Sequence, residues 1–183
     1  MKALNVLTYL LPLTLACNYI PVSKRELDGV QIVMKNYRFK DNIYASTTAD
    51  AIRHSDKDDG SEKWIFHSCH MASNYDNAQI FALENKKYAN TFLYANVASG
   101  MSHYTQSLDK VCTVSKRYQW IVYRAECEGE DTKYSLFNLS YAHWLDASDL
   151  GLVKHSSCSD NPYSTDSGCD KWKAMEFLDF KKN

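Results

Sequence analysis

One pattern recurs three times along this chain of 183 residues, and it constrains the fold more than any single residue does. In each copy, apolar residues alternate up to an asparagine, an aromatic residue follows, and a second apolar pair closes the stretch. The copies read VQIVMKNYRFKDNIYAS at 30–46, AQIFALENKKYANTFLYAN at 78–96 and KYSLFNLSYAHWLDAS at 133–148. Their asparagines are Asn36, Asn85 and Asn138, and the aromatic residues that follow are Tyr37, Tyr88 and Tyr141. Alternation on both sides of a polar bend predicts two strands joined by a hairpin.

Each copy continues with a turn, a short strand that carries one histidine, and a strand that begins near a tryptophan. The histidines are His54, His103 and His155, and the tryptophans are Trp64, Trp120 and Trp172. This continuation predicts four strands per unit and no long helix. Because a unit of four short strands cannot bury a face by itself, the three units must share one core. Closing them around an axis also removes the sheet edges.

At this point the chain resembles the β-trefoil fold, in particular the ricin-type lectin repeats, over about residues 29 to 180. The resemblance implies an all-β fold of three pseudo-repeats of four strands, with boundaries at about 29–77, 78–131 and 132–183. In that family a glutamine stands two places before the tryptophan. Here those places hold Glu62, Tyr118 and Asp170, so the Gln-x-Trp signature is absent from all three units.

The resemblance also implies carbohydrate binding, because in ricin-type repeats an aspartate at the end of the second strand holds the sugar. Only the third unit matches, with Asp146 where the other units have Tyr44 and Tyr94. A sugar site needs a carboxylate that accepts hydrogen bonds from hydroxyls and a ring that stacks on the sugar. The companions expected for Asp146 are His155, Tyr163 and Asp170. In the alternative interpretation, Asp146 is an ordinary turn acid.

The predicted function is therefore non-enzymatic and lectin-like, with a glycan or glycoprotein as partner and with no cofactor or metal. No activated nucleophile, nucleotide loop or zinc-protease motif is present. The alternative is a secreted effector, such as an inhibitor, a toxin-like factor or a cytokine-like factor, that binds a target protein. Its contact surfaces would be the loops from Ser156 to Lys171 and from Gln106 to Tyr118. The three histidines could instead meet at the axis and bind zinc, although a tolerated residue in a duplicated hairpin is the simpler interpretation.

The first residues predict secretion. Residues 1–16 combine Lys2, an apolar stretch and small residues at 14 and 16, which is typical of a cleaved signal peptide and too short for a membrane anchor. Acylation of Cys17 is the alternative, but a lipoprotein signal favours leucine where this chain has Thr14. Residues 17–28 would form an N-terminal segment, a candidate pro-segment ending at Arg25. The formal net charge is −1 and one unit lower without Lys2, which indicates no nucleic-acid partner.

Six cysteines in an oxidising compartment predict disulfides rather than reactive thiols. Cys158 and Cys169 bracket a polar loop, and Cys112 and Cys127 flank a strand-like segment, so each pair makes a plausible local bridge. Cys17 and Cys69 are then left for each other. Asn138 opens the sequon Asn-Leu-Ser and is a predicted glycosylation site, although its position at a strand end could leave it partly buried.

Overall fold

A computed structural model describes residues 17–47, 50–97, 100–127, 132–148, 150–157 and 175–182 of the chain. The strands are β1 (Cys17–Pro21), β2 (Val30–Asn36), β3 (Asn42–Ala45), β4 (Ile52–Ser55), β5 (Lys63–Ala72), β6 (Ala78–Asn85), β7 (Thr91–Ala95), β8 (Met101–Thr105), β9 (Trp120–Cys127), β10 (Lys133–Asn138), β11 (His143–Ala147), β12 (Val153–Ser156) and β13 (Met175–Lys182). The helices are α1 (Lys24–Leu27), α2 (Leu108–Thr113) and a 3₁₀ turn at Lys116–Tyr118. Within the described residues, no helix is long and apolar enough to cross a membrane.

Six of these strands close into an antiparallel barrel. Going around it, β2 pairs with β5, β5 with β6, β6 with β9, β9 with β10, and β10 with β13, which returns to β2. Closure satisfies the backbone groups that an open sheet would leave at its edges. The barrel is filled by side chains that alternate inward, among them the fully buried Trp64, Phe66 and Trp120. The predicted all-β fold class is confirmed.

The remaining strands form three hairpins, β3–β4, β7–β8 and β11–β12, one for each unit. Isolated bridges join each hairpin to the next, so that the three meet in a closed ring at one end of the barrel. These bridges are Ala51 with Ser102, Gly100 with Lys154, and Leu152 with Arg53. Each unit therefore contributes one barrel strand, one hairpin and a second barrel strand, which is the arrangement expected of a β-trefoil.

The recurring asparagines are buried and stabilise the bends, as their side-chain chemistry requires. The Asn85 oxygen accepts hydrogen bonds from the backbone N–H groups two and three residues later, and its amide donates to the Ser61 carbonyl. The Asn138 amide donates to the carbonyls of Arg117 and Gln119, at 3.1 and 3.3 Å. Because Asn138 is buried and its amide nitrogen is hydrogen-bonded, the folded structure argues against a glycan there, and the glycosylation of Asn138 stays a prediction.

Residues 17–28 belong to the packed domain rather than to a detachable segment. Strand β1 pairs with β9, and the Val22 N–H donates to the Val122 carbonyl at 2.9 Å. Val22 and Leu27 are buried in the main core. A cut after Arg25 would separate β1 from the chain that it packs against, which argues against a pro-segment ending there.

One disulfide of the described residues corrects the predicted pairing. Cys69 is bonded to Cys112, across 43 residues of sequence. The pairs Cys112 with Cys127 and Cys17 with Cys69 are therefore wrong. The β1–β9 register sets the backbone of Cys17 opposite that of Cys127. Cys158 and Cys169 lie outside the described residues.

Candidate functional site

The structure describes two members of the site predicted in the third unit, Asp146 and His155, and it does not bring them together. Asp146 is 8% exposed and accepts a hydrogen bond from the Ser156 hydroxyl at 3.0 Å, while His155 is 1% exposed. In the β11–β12 register, Asp146 lies opposite Lys154 and His155 lies opposite Leu145. Successive strand residues point to opposite faces, so Asp146 and His155 face away from each other. The other two companions, Tyr163 and Asp170, lie outside the described residues.

The three histidines tie neighbouring units together and are named here the histidine belt. Each Nε2 lies against a backbone carbonyl that follows the second strand of another unit. The pairs are His54 with Ser148 at 2.7 Å, His103 with Ser46 at 2.8 Å, and His155 with Asn96 at 2.7 Å. Because a carbonyl can only accept, each Nε2 carries the proton that it donates. These nitrogens are not available to a shared zinc ion, and the described residues contain no group of three metal-ligating side chains.

An aromatic ring stacks on each imidazole of the belt. Phe39 lies 4.8 Å from His54, Tyr88 lies 5.8 Å from His103, and Tyr141 lies 4.7 Å from His155, measured between ring centroids. In the first unit the recurring aromatic residue is thus Phe39 and not Tyr37. The backbone agrees, because the Asn36 oxygen accepts from the Phe39 N–H just as the Asn85 oxygen accepts from the Tyr88 N–H.

The second ring nitrogen of each imidazole, Nδ1, has different surroundings in the three units. In the first unit, Nδ1 of His54 lies 3.0 Å from the Asp41 carboxylate. In the third, Nδ1 of His155 lies 2.9 Å from Nδ1 of His143.

The second unit has Thr91 at the corresponding place, and this hydroxyl lies 3.3 Å from the Thr105 hydroxyl. Among the described residues, Nδ1 of His103 has no hydrogen-bond partner. The second unit alone therefore leaves this nitrogen open to a ligand.

His103 lines a pocket of about 330 Å³, here called the junction pocket. It lies where the turn of the first hairpin meets the second hairpin. Its lining residues are Thr47, Asp50, Tyr88, Thr91, His103, Tyr104 and Thr105. The Asp50 carbonyl accepts from the His103 N–H at 3.0 Å and so fixes the turn to the second hairpin. Asp50 has a positive φ of 49°, a left-handed conformation that aspartate tolerates better than most residues.

The junction pocket combines groups that suit a small polyhydroxylated ligand. The exposed Asp50 can accept hydrogen bonds from hydroxyls, and Nδ1 of His103 is a second acceptor in the tautomer that carries its proton on Nε2. Tyr88 is half-buried and offers an aromatic ring, whereas Tyr104, the residue after His103 in β8, points its ring to the opposite face of the strand. The volume is at the lower end of the roughly 300 to 1,000 Å³ that small-molecule pockets occupy.

Sequence reasoning missed this pocket, although one signal for it was present. That signal is the residue three places before the aspartate or tyrosine of the second strand, together with Phe39 as the recurring aromatic residue of the first unit. With Phe39 aligned correctly, Asp41, Thr91 and His143 correspond, and only Thr91 lacks a group that reaches the histidine. Nothing local in the sequence, however, places Asp50 beside His103.

No family model and no curated protein matches the sequence. Solved structures do match. They include a BEL β-trefoil in an apo crystal form, at 11% identity, TM-score 0.57, and coverage of 82% of this chain and 93% of that chain. SeviL bound to asialo-GM1 saccharide matches at 9% identity and TM-score 0.54, with 82% of this chain and 97% of that chain covered.

A third match is the GlcNAcα1-4Gal releasing endo-β-galactosidase from Clostridium perfringens, at 12% identity and TM-score 0.59. It covers 83% of this chain, which spans only 33% of that enzyme. At these identities the similarity concerns the fold. The predicted resemblance is thereby confirmed, and the chain has a β-trefoil fold.

Proposed function

We propose that the protein is a secreted, non-enzymatic, lectin-like protein that binds carbohydrate in the junction pocket. The observation that carries this proposal is the open Nδ1 of His103 in a pocket that also holds Asp50 and Tyr88. Two structural neighbours support the ligand class, because one was solved with a saccharide and the other is an endo-β-galactosidase.

Each lining group has a distinct task in this proposal. The Asp50 carboxylate accepts hydrogen bonds from two neighbouring hydroxyls of the sugar. Nδ1 of His103 accepts from a third hydroxyl, since the bond from Nε2 to Ser46 fixes the tautomer. The Tyr88 ring, which also lines the pocket, supplies the aromatic contact for the apolar C–H face of the sugar ring. The Thr91 and Thr105 hydroxyls supply both donors and acceptors at the rim.

The number of acidic side chains in the junction pocket fits binding without hydrolysis. Glycosidases generally place two carboxylic groups on either side of the bond that they cleave. Asp50 is the one acid among the described residues that line the junction pocket. Secretion is supported by the signal-like residues 1–16 and by the Cys69–Cys112 disulfide, because disulfides persist in oxidising compartments.

A protein target is the second candidate, and exposed apolar side chains favour it. Val97 and Leu150, in the turns of the second and third hairpins, are 73% and 82% exposed. Val114, in the loop from Gln106 to Tyr118, is 75% exposed. Exposed apolar side chains on neighbouring turns are typical of a protein-contact surface.

A glycan array with the mature protein, followed by calorimetric titration of the best ligand, tests the proposal. We expect Asp50→Asn to weaken binding by about tenfold or more, which corresponds to one lost charged hydrogen bond, and His103→Phe to weaken it by about threefold to tenfold, as one lost neutral hydrogen bond implies. Asp58→Asn is the matched control, because it removes the same charge from an exposed residue outside the pocket. If the folded wild type binds no glycan, the proposal is wrong and the protein target takes its place. If Asp146→Asn abolishes binding while Asp50→Asn does not, the site lies in the third unit.

A further inference from the structure

We propose that the outward face of the ring where the three hairpins meet binds an oxyanion, a sulfate or phosphate group, between Arg53 and Lys154. The site, named here the ring site, consists of the six residues that form the bridges between hairpins: Ala51, Arg53, Gly100, Ser102, Leu152 and Lys154. It shares no residue with the junction pocket, so it does not depend on the proposed function.

The six side chains of the ring site lie on one face of the ring. Bridged residues of antiparallel strands direct their side chains to the same face, and so do residues two apart along a strand. The residues that alternate with them, Ile52, Met101 and Val153, are buried in the main core. The ring site therefore faces away from the core. Exposure agrees with this, because Lys154 is exposed and Leu152 is 39% exposed.

The strand register brings the two cations of the ring site within reach of one ligand. Arg53 is bridged to Leu152, and Lys154 is two residues further along the same strand and on the same face. Such diagonal neighbours lie about 7 to 8 Å apart, a separation that long side chains can span. An anion between them can therefore accept hydrogen bonds from both cations.

Neither cation of the ring site is neutralised by the protein. In the part of the chain that the structure describes, no carboxylate forms an ion pair with Arg53 or Lys154. The acid opposite Lys154 in the strand register is Asp146, and its carboxylate accepts a hydrogen bond from the Ser156 hydroxyl instead. The positive charge of the ring site is thus available to an anion.

The guanidinium of Arg53 also has a donor without an acceptor. Its Nε is buried and has no hydrogen-bond partner among the described residues. A buried N–H group that lacks an acceptor is costly, and an unseen water or ion commonly explains one. An oxyanion at the ring site would supply the acceptor, since the planar fork of a guanidinium suits sulfate and phosphate oxygens.

Small residues leave room for the anion beside the cations. Gly100 is the bridge partner of Lys154, and Ala51 is that of Ser102. The Ser102 hydroxyl accepts a hydrogen bond from the Asn96 amide, which leaves its own hydrogen to be donated. Ser102 is only 5% exposed, so its hydroxyl lies at the floor of the site. A tetrahedral oxyanion would accept from this hydroxyl and from both cations.

Titration of the isotope-labelled protein with inorganic phosphate, and separately with inorganic sulfate, tests the inference by NMR. We expect saturable shifts of the backbone amides of Gly100, Ser102 and Leu152, with a dissociation constant of about 1 mM, as a few charged hydrogen bonds at a partly exposed site imply. Sodium chloride at matched ionic strength is the reference for general salt effects. The two separate titrations show which anion is preferred, and a preference for either one supports the proposal.

Four variants separate the ring site from general charge effects. Arg53→Gln should weaken binding of the anion by about tenfold, and Lys154→Gln and Ser102→Ala by about threefold or more, since each removes one donor. Lys110→Gln is the matched control, because it removes the same charge from an exposed residue of α2 outside the ring and should leave binding intact. Thermal unfolding of each variant checks that it is folded. Lys154 is exposed, so Lys154→Gln keeps the test decisive if Arg53→Gln does not fold.

Three results would overturn the ring site. The first is a folded wild type whose ring amides shift no more with phosphate or sulfate than with chloride. The second is wild-type affinity in Lys154→Gln, and the third is an equal loss in Lys110→Gln. None of these results touches the junction pocket, which is tested by glycan binding and Asp50→Asn, so failure of this inference and failure of the proposed function are distinguishable.

Discussion

Replacing the members of the histidine belt one at a time by phenylalanine should give unequal losses of stability. Phenylalanine keeps a ring for the stacking contact but removes both nitrogens. In every unit the loss of the Nε2 bond to a carbonyl should cost about 1 to 2 kcal/mol of unfolding free energy. His54 and His155 also lose a contact at Nδ1, with Asp41 and His143 respectively, which adds about 1 kcal/mol. His103 has no such second loss, so His103→Phe should cost the least.

Urea denaturation of the disulfide-intact protein measures this ranking. With a slope of about 2 kcal/mol per molar, an extra 1 kcal/mol lowers the midpoint by about 0.5 M, which is readily resolved. His70→Phe is the control, because His70 is exposed and should change stability by less than about 0.5 kcal/mol. If His103→Phe costs as much as the other two, Nδ1 of His103 has a partner and the junction pocket loses its open nitrogen. If no belt variant exceeds the control, the belt does not hold the units together.

Two further predictions concern covalent and ionic contacts. Peptide mapping of the non-reduced protein should recover Cys69 joined to Cys112. It should also recover Cys17 joined to Cys127, because the backbones of these two residues are cross-strand partners. A peptide that joins Cys112 to Cys127 would refute both pairings. Hydrogen bonds from a serine hydroxyl and from a lysine ammonium hold the pKa of Asp59 well below its ordinary value. The stability that this carboxylate contributes is present above its unfolded-state pKa of about 3.9 and is lost as the pH falls through the lowered folded-state pKa. Asp59→Asn should therefore be less stable than the wild type at pH 7, with a difference that shrinks below about pH 4; a difference that grows in acid contradicts the assignment.

The fold could be predicted from the sequence because its signals are local and occur three times. An asparagine at a bend satisfies nearby backbone groups in every unit, so the same residue recurs wherever the same bend recurs, as Asn36, Asn85 and Asn138 show. The alternation of apolar residues up to each asparagine likewise reflects strands that pack one face on a common core. One misalignment survived, because Tyr37 and Phe39 are both aromatic and only the backbone contacts of Asn36 choose between them.

The site could not be predicted in the same way, because it depends on contacts between units. Asp50 and His103 are far apart in sequence and meet only when the first hairpin turn docks on the second hairpin. The resemblance to lectin repeats predicts a site at Asp146, but the strand register turns that residue and His155 to opposite faces. The disulfide was missed for a related reason, since proximity in sequence favoured local partners for Cys112.

The histidine belt also means that the order of the units along the chain does not matter to the contacts that hold them. His54 bonds the first unit to the third, the two that are most distant in sequence, in the same way as His103 bonds the second unit to the first. A circularly permuted chain that begins at the second unit would keep all three bonds, whereas deleting one unit would break two of them. The three units together, and not a single repeat, are thus the smallest part of this protein that keeps all of the histidine bonds.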